Sequence, residues 1–361
     1  MSYSQARSIA GAAQLGLLAC LSAGALAADL PAGLAASGLP APAVWGLWVC
    51  AWALAGLPGD WAGGHWLPAR HGRASRSLGQ WLGGWLRGAA VQAAYFVLGG
   101  MLLLVMAQWL GLWGAWGWML VQMILLLGFQ LWMAAGITGG QVRMESDRGR
   151  FVFVLDAADR GFTGGITGLP GQESLAVPAY WRAHLPQPVA RVLQLRMHGI
   201  INTGAHGRGV AAAFLLNALV FLAALMLSGA GEGQLEGLLR LPLLVTLFSS
   251  VSRLGLPAWY SRRAVYEADR WAYHKGVDGD HLRAGISAVQ RLAEDGGSPL
   301  WSGIPPEAER LEALGRQEDL QGGWNTGGQL LYLSWAGINF GARAWPDLLG
   351  RPALWVMTPG V

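Results

Sequence analysis

Six stretches of this chain, roughly residues 8 to 28, 41 to 57, 89 to 110, 112 to 136, 209 to 229 and 239 to 258, run apolar for close to the length of a bilayer-crossing helix. About twenty residues are needed for that, so the second stretch is marginal. A soluble globule has no interior large enough for so many uninterrupted apolar segments. With 53% hydrophobic and 13% charged residues, the expectation is a mainly α integral membrane protein whose fold leans on bilayer solvation.

The arginines set the expected orientation, because cationic loops stay on the cytoplasmic side. Arg7 precedes the first stretch; Arg70, Arg73, Arg76 and Arg87 lie between the second and third; Arg143, Arg148 and Arg150 follow the fourth; Arg262, Arg263 and Arg270 follow the sixth. Alternation from an inside N-terminus puts all of them, and both termini, in the cytoplasm. The opposite loops are short, and the last carries Glu232 and Glu236 before Arg240. Arg7, the apolar run and Ala25-Leu26-Ala27 also have the layout of a secretory leader; the expectation is a retained first span, and the cytoplasmic segments are the same either way. Cys20 and Cys50 both fall inside spans, which leaves neither a disulfide framework nor a cysteine metal site. The net charge of +4 reflects the cytoplasmic arginines, and no basic arm with interleaved aromatics points to nucleic acid.

Three regions follow. Residues 1–136 form a four-span membrane domain, 137–320 a domain containing a transmembrane hairpin at 209–258, and 321–361 an apolar, Trp-rich tail. In the first, Leu78, Trp81, Leu82, Trp85 and Leu86 recur at helical spacing, suited to the headgroup plane or to packing on neighbouring spans. Gly111-Leu112-Trp113-Gly114 reads as a tight turn. In the second, 151–155 and 175–180 have strand character around a turn-rich stretch with Gly164-Gly165. A helix over about 187–206 carries His198, and another beyond Pro257 carries Glu267. The spans hold almost no ionisable residue away from their ends, which speaks against an ion or proton pathway.

Order and spacing point to one chemistry. Helix-borne zinc sites use histidines at i and i+4 on one face, a glutamate beside the first to take a proton from the metal-bound water, and a third ligand from a later helix. Here His198-Gly199-Ile200-Ile201-Asn202 is followed by the membrane hairpin, then Ser261-Arg262-Arg263-Ala264-Val265-Tyr266-Glu267-Ala268-Asp269-Arg270, then Gly303-Ile304-Pro305-Pro306-Glu307-Ala308-Glu309-Arg310. This series resembles the HtpX-like and CAAX-prenyl-endopeptidase-like integral-membrane zinc metallopeptidases over roughly residues 150 to 316. The resemblance implies a cytoplasmic metallopeptidase-like α+β domain split by the hairpin. It implies His198 at the first ligand, Asn202 at the second, Glu267 at the third, and Asp269 and Arg310 as outer groups that orient them.

The motif is degenerate. Gly199 stands in place of the general base, Asn202 of the second histidine and Ile304 of a late histidine. Loss of a general base alone removes about 10²- to 10⁴-fold in rate, and one His with one Glu holds zinc poorly. His206 continues the spacing of His198 and Asn202, but two turns separate it from His198, about 12 Å, too far to share an ion. Taken alone, Glu267, with Arg263 four residues before and Arg270 three after, also suits an ion-pair ladder on a solvated face. His274 and His281 read as surface histidines. The leading expectation is a catalytically inactive, peptidase-derived protein of the bacterial inner membrane, a scaffold, accessory subunit or binding protein with a protein partner, and without zinc. The alternative is an active membrane zinc endopeptidase using His198, Glu267 and Asn202.

Overall fold

The computed structural model describes residues 3–73, 77–138, 142–147, 149–156, 164–254, 258–293, 305–315 and 322–324. The chain is mainly helical, with one small sheet. Helix α1 (Tyr3–Ala27) leads through the short α2 (Leu30–Ala35) to α3 (Ala41–Trp61). That helix runs on through a π-turn (Ala62–Trp66) into α4 (Leu67–Arg70), and α5 (Leu78–Thr138) follows. Among the described residues four helical stretches are long and apolar enough to cross a membrane: Ile9–Ala27, Ala41–Arg70, Leu78–Gly128 and Ala205–Ser228. In an apolar 18-residue window of each, only 28% to 39% of the residues are buried inside the protein. Leu47, Leu54, Leu98, Leu215 and Leu219 are more than half exposed, an arrangement stable in lipid and not in water.

The difference from six apolar stretches has two sources. Two of the six are arms of α5, which breaks at Gly111, where φ 64 and ψ −154 demand glycine. Across that break Tyr95 Oη donates to Gln122 Oε1 at 3.0 Å and Trp118 Nε1 to the Gly99 carbonyl at 3.0 Å, so the arms fold back on one another. The sixth becomes α9 (Leu235–Leu254), whose continuation at 255–257 lies outside the described residues.

The bundle has two recognisable ends. At one, Arg240 pairs with Asp29 at 2.9 Å and Gln108 donates to the Gly233 carbonyl at 3.3 Å. At the other, the Tyr3 ring lies against His71 and under the Arg73 guanidinium. The second apolar stretch does not stop at 57. The helix continues through Pro58 and Gly59, whose missing side chain leaves room for Gln14. It therefore carries Asp60 into the interior, fully buried, accepting from Gln14 Nε2 at 3.1 Å and Trp85 Nε1 at 2.9 Å. The expectation of spans nearly free of ionisable groups is corrected at this residue. Trp81 and Trp85 turn inward while Leu78, Leu82 and Leu86 face out, so the stripe at 78–86 is the packed beginning of α5.

Beyond α5 lie β1 (Val142–Asp147), β2 (Arg150–Leu155), β3 (Gly165–Thr167) and β4 (Ser174–Pro178), in spatial order β1-β2-β4-β3. β1 pairs antiparallel to β2, β2 parallel to β4, and β3 antiparallel to β4. Then come α6 (Ala179–His184), α7 (Gln187–Asn202), α8 (Ala205–Ser228), α9, α10 (Ala258–His274), α11 (Gly279–Ala293) and α12 (Glu307–Gly315). Helix α7 is shorter than the expected 187–206 because Gly204, at φ 77, ends its run. His206 therefore sits on α8, not on the helix of His198. One face of α7, with Met197, Ile200 and Ile201, packs with Val152, Val154, Leu175 and Val177 of the sheet and with Ala264 and Ala268 of α10. Val192 and Leu195 join Ala272, Leu282 and Ile286 in a second cluster. Only 322–324 of the tail 321–361 belong to the described residues, and Ile304 lies outside them.

Candidate functional site

The site residues converge on the contact between α7 and α10, which pack directly on one another. Its centre is Gly199. A Cβ there would lie 3.1 Å from the Ala268 carbonyl oxygen, 3.2 Å from Ala268 Cα and 3.3 Å from Trp271 Cε3. The two carbon distances fall inside ordinary contact between non-bonded carbons, about 3.5–4.0 Å. The position assigned to a general base is thus a close helix crossing, and a side chain there would press on the backbone of α10 at Ala268 and on the Trp271 ring.

His198 is 2% exposed and both its ring nitrogens are engaged. Arg150 Nη1 lies 3.3 Å from Nδ1, and Asp147 Oδ2 lies 3.5 Å from Nε2, both partners coming from the β1–β2 hairpin. A guanidinium only donates. Nδ1 is therefore the acceptor and Nε2 carries the hydrogen toward Asp147. Asn202 is exposed, and its amide donates back to the His198 carbonyl at 2.7 Å, closing on its own helix.

Glu267 is 8% exposed and is not a solvated-face residue. Its Oε2 accepts from Arg208 Nη2 at 2.9 Å and its Oε1 from the Gly323 backbone N–H at 2.9 Å. Arg208, in the first turn of α8, also donates to the Thr203 carbonyl at 2.9 Å and the Gly323 carbonyl at 2.8 Å.

Asp269 of α10 and Arg310 of α12 are brought together although they lie 41 positions apart in the sequence. Arg310 Nε donates to Oδ2 at 2.8 Å and Nη2 to Oδ1 at 2.9 Å, the bidentate geometry that suits a carboxylate. Arg196 Nε donates to Oδ1 from the other side. All three side chains are at most 4% exposed. Burial alone would push the Asp269 carboxyl up, but the two guanidiniums outweigh it and hold the group below its usual range. Arg196 is pushed down to about 10, first by burial and then by the charge of Arg310, with Asp269 opposing. Two buried cations share one anion. The same helix pair is tied further by Tyr266 donating to Glu309 of α12.

In this structure the donor groups of the zinc motif are turned to other partners. The three positions that would hold the ion are His198, with both nitrogens bonded, Asn202, folded onto its own helix, and Glu267, bonded at both oxygens. Among the described residues no cluster of three His, Cys, Asp or Glu has metal-holding geometry. His206 is buried on α8 with Nε2 3.0 Å from the Gly168 carbonyl, while His274 and His281 are exposed.

Sequence reasoning missed four contributors: Arg150, Arg208, Gly323 and Arg196. Only Arg196 left a signal, since it falls within the otherwise apolar stripe of Val192, Leu195 and Gly199, where an arginine requires a buried anion. The chain matches no protein-family model and no curated protein.

Proposed function

We propose that this chain is a catalytically silent, peptidase-derived protein of the cytoplasmic membrane that serves as a scaffold, accessory subunit or binding subunit of a larger assembly, with its α7–α10 site on the cytoplasmic side. One observation carries the reading: Gly199 packs so closely on α10 that even a Cβ would crowd Ala268 and Trp271, so the position that would activate water is used for helix packing. The hydrogen bonding around it supports the same reading. Arg150 stands beside His198 and Arg208 beside Glu267, so guanidinium groups supply the positive charge that a metal would bring. A peptidase built on His198, Glu267 and Asn202 would require each of them to give up its present partners. The cationic segments at the Arg73 end of the bundle support the orientation.

The test is metal content and cleavage, measured on the purified full-length protein in detergent. The expected outcome is zinc well below one ion per chain and no chelator-sensitive cleavage of a membrane-protein substrate. Stoichiometric zinc together with cleavage abolished by Glu267→Ala would overturn the proposal.

A further inference from the structure

The backbone of Gly323 is gripped on both sides by Glu267 and Arg208. Its N–H donates to Glu267 Oε1 at 2.9 Å, its carbonyl accepts from Arg208 Nε at 2.8 Å, and Arg208 Nη2 closes the ring onto Glu267 Oε2 at 2.9 Å. Both polar groups of one peptide residue are thus read by a single ion pair, and each bond is charge-assisted, the stronger class of hydrogen bond. Glu267 and Gly323 are both buried. The carboxylate makes this contact away from bulk water, where it is worth most.

The contact is also selective for the residue it holds. A Cβ at 323 would lie 2.2 Å from the Ala264 nitrogen and 2.7 Å from Ala264 Cα, which are backbone atoms of α10 and cannot swing aside. Its neighbour Gly322 takes φ 97, a conformation L side chains rarely adopt. Two successive glycines are therefore required, one for the turn and one for the close approach.

We propose that Glu267 and Arg208 form a peptide-backbone clamp specific for a Gly-Gly segment, and that its occupant is this chain's own Gly322-Gly323. The clamp fastens the beginning of the tail to the start of α8 and to α10. It uses the very carboxylate that the peptidase resemblance would give to a metal. The inference goes beyond the proposed function and shares with it only the premise that Glu267 accepts hydrogen bonds. Amide exchange and peptide binding test the clamp, and neither depends on zinc content.

Hydrogen exchange of the full-length protein in detergent reads the clamp directly. The backbone amide at position 323 should exchange about ten- to a hundredfold faster in Gly323→Ala and in Glu267→Ala than in the wild type, the weight of a hydrogen bond to a charged group. A second measurement guards against simple misfolding. A labelled peptide carrying residues 320–326 should bind the Gly323→Ala protein, whose clamp is vacated but intact. It should not bind the wild type, whose clamp is filled, or the Gly323→Ala/Glu267→Ala double variant. Unchanged exchange in Gly323→Ala, failure of the peptide to bind that variant, or equal binding to all three proteins would overturn the inference.

Discussion

Gly199→Ala puts a number on the helix crossing at the centre of the site. The added methyl would sit 3.1 Å from the Ala268 carbonyl oxygen and 3.2 Å from Ala268 Cα. It would be a few tenths of an ångström too close to atoms of a backbone. Helix α10 cannot slide away cheaply, because Asp269, one residue on, is held by Arg196 and by both donors of Arg310. Overpacking of this kind costs about 1–3 kcal/mol. Removing a glycine from a helix interior returns about 1 kcal/mol, so the net expectation is a loss of about 1 kcal/mol. Gly83 provides the control, an exposed helical glycine where a Cβ would meet nothing within 4 Å beyond its own helix backbone; Gly83→Ala should stabilise. The assay is denaturant unfolding of the detergent-solubilised chain, with all three proteins compared under identical conditions. If Gly199→Ala stabilises as Gly83→Ala does, the crossing is loose and the argument against a glutamate at 199 fails.

The buried charge triad makes further expectations. Asp269→Asn leaves Arg196 and Arg310 buried without an anion and should cost about 3–5 kcal/mol, the penalty for breaking a buried pair. Arg196→Met should cost much less, since Arg310 alone neutralises Asp269; unfolding curves that rank the two variants the other way would refute this. Because the Asp269 carboxyl is held below its usual range in the folded state, its stabilisation is complete above about pH 4 and is lost as pH falls through the lower folded value. Asp269→Asn should therefore flatten the acid limb of a stability–pH profile below about pH 4, and an unchanged limb would count against the ionised carboxylate. The double variant Gly199→Glu/Asn202→His, which restores the lettering of a zinc motif, should unfold more readily than the wild type and gain no stoichiometric zinc. Metal analysis showing one zinc per chain in that variant would refute the packing argument.

Much of the membrane architecture was legible because its signals are one-dimensional. Apolar runs at 8–28 and 209–229 became α1 and α8, and the glycines flanking Leu112 announced the reversal at Gly111. The end of the second span was misread for a physical reason. Pro58 and Gly59 look like a terminator, yet the helix continues as a π-turn, and Gly59 is there to admit Gln14. Asp60 was lost with it. The overlong α7 has a similar cause, since helical spacing runs through His206 while one left-handed glycine at 204 divides the helices. At the site, the residues of the motif were visible and their partners were not. Arg150 reaches His198 across 48 residues and Gly323 reaches Glu267 across 56, choices made by tertiary packing that no local pattern records.

Electrostatics is the second ground for expecting that the restored motif gains no metal. A zinc site at His198 and Glu267 needs ligands whose lone pairs are free and whose surroundings are negative enough to repay desolvation of a divalent cation. Here a guanidinium already stands at 3.3 Å from the imidazole and another at 2.9 Å from the carboxylate. A third and fourth, Arg196 and Arg310, lie behind Asp269 with one surplus positive charge between them. An incoming dication would meet repulsion from Arg150 and Arg208 at the distances where Coulomb terms are largest. It would also have to displace hydrogen bonds that currently satisfy both oxygens of Glu267. Such a site favours anionic or dipolar groups over cations, and a peptide carbonyl beside a peptide N–H, as Gly323 presents, is the dipole it holds. On the proposed reading, the electrostatic character that would oppose a bound dication is the same one that suits the α8–α10 junction to the Gly323 backbone.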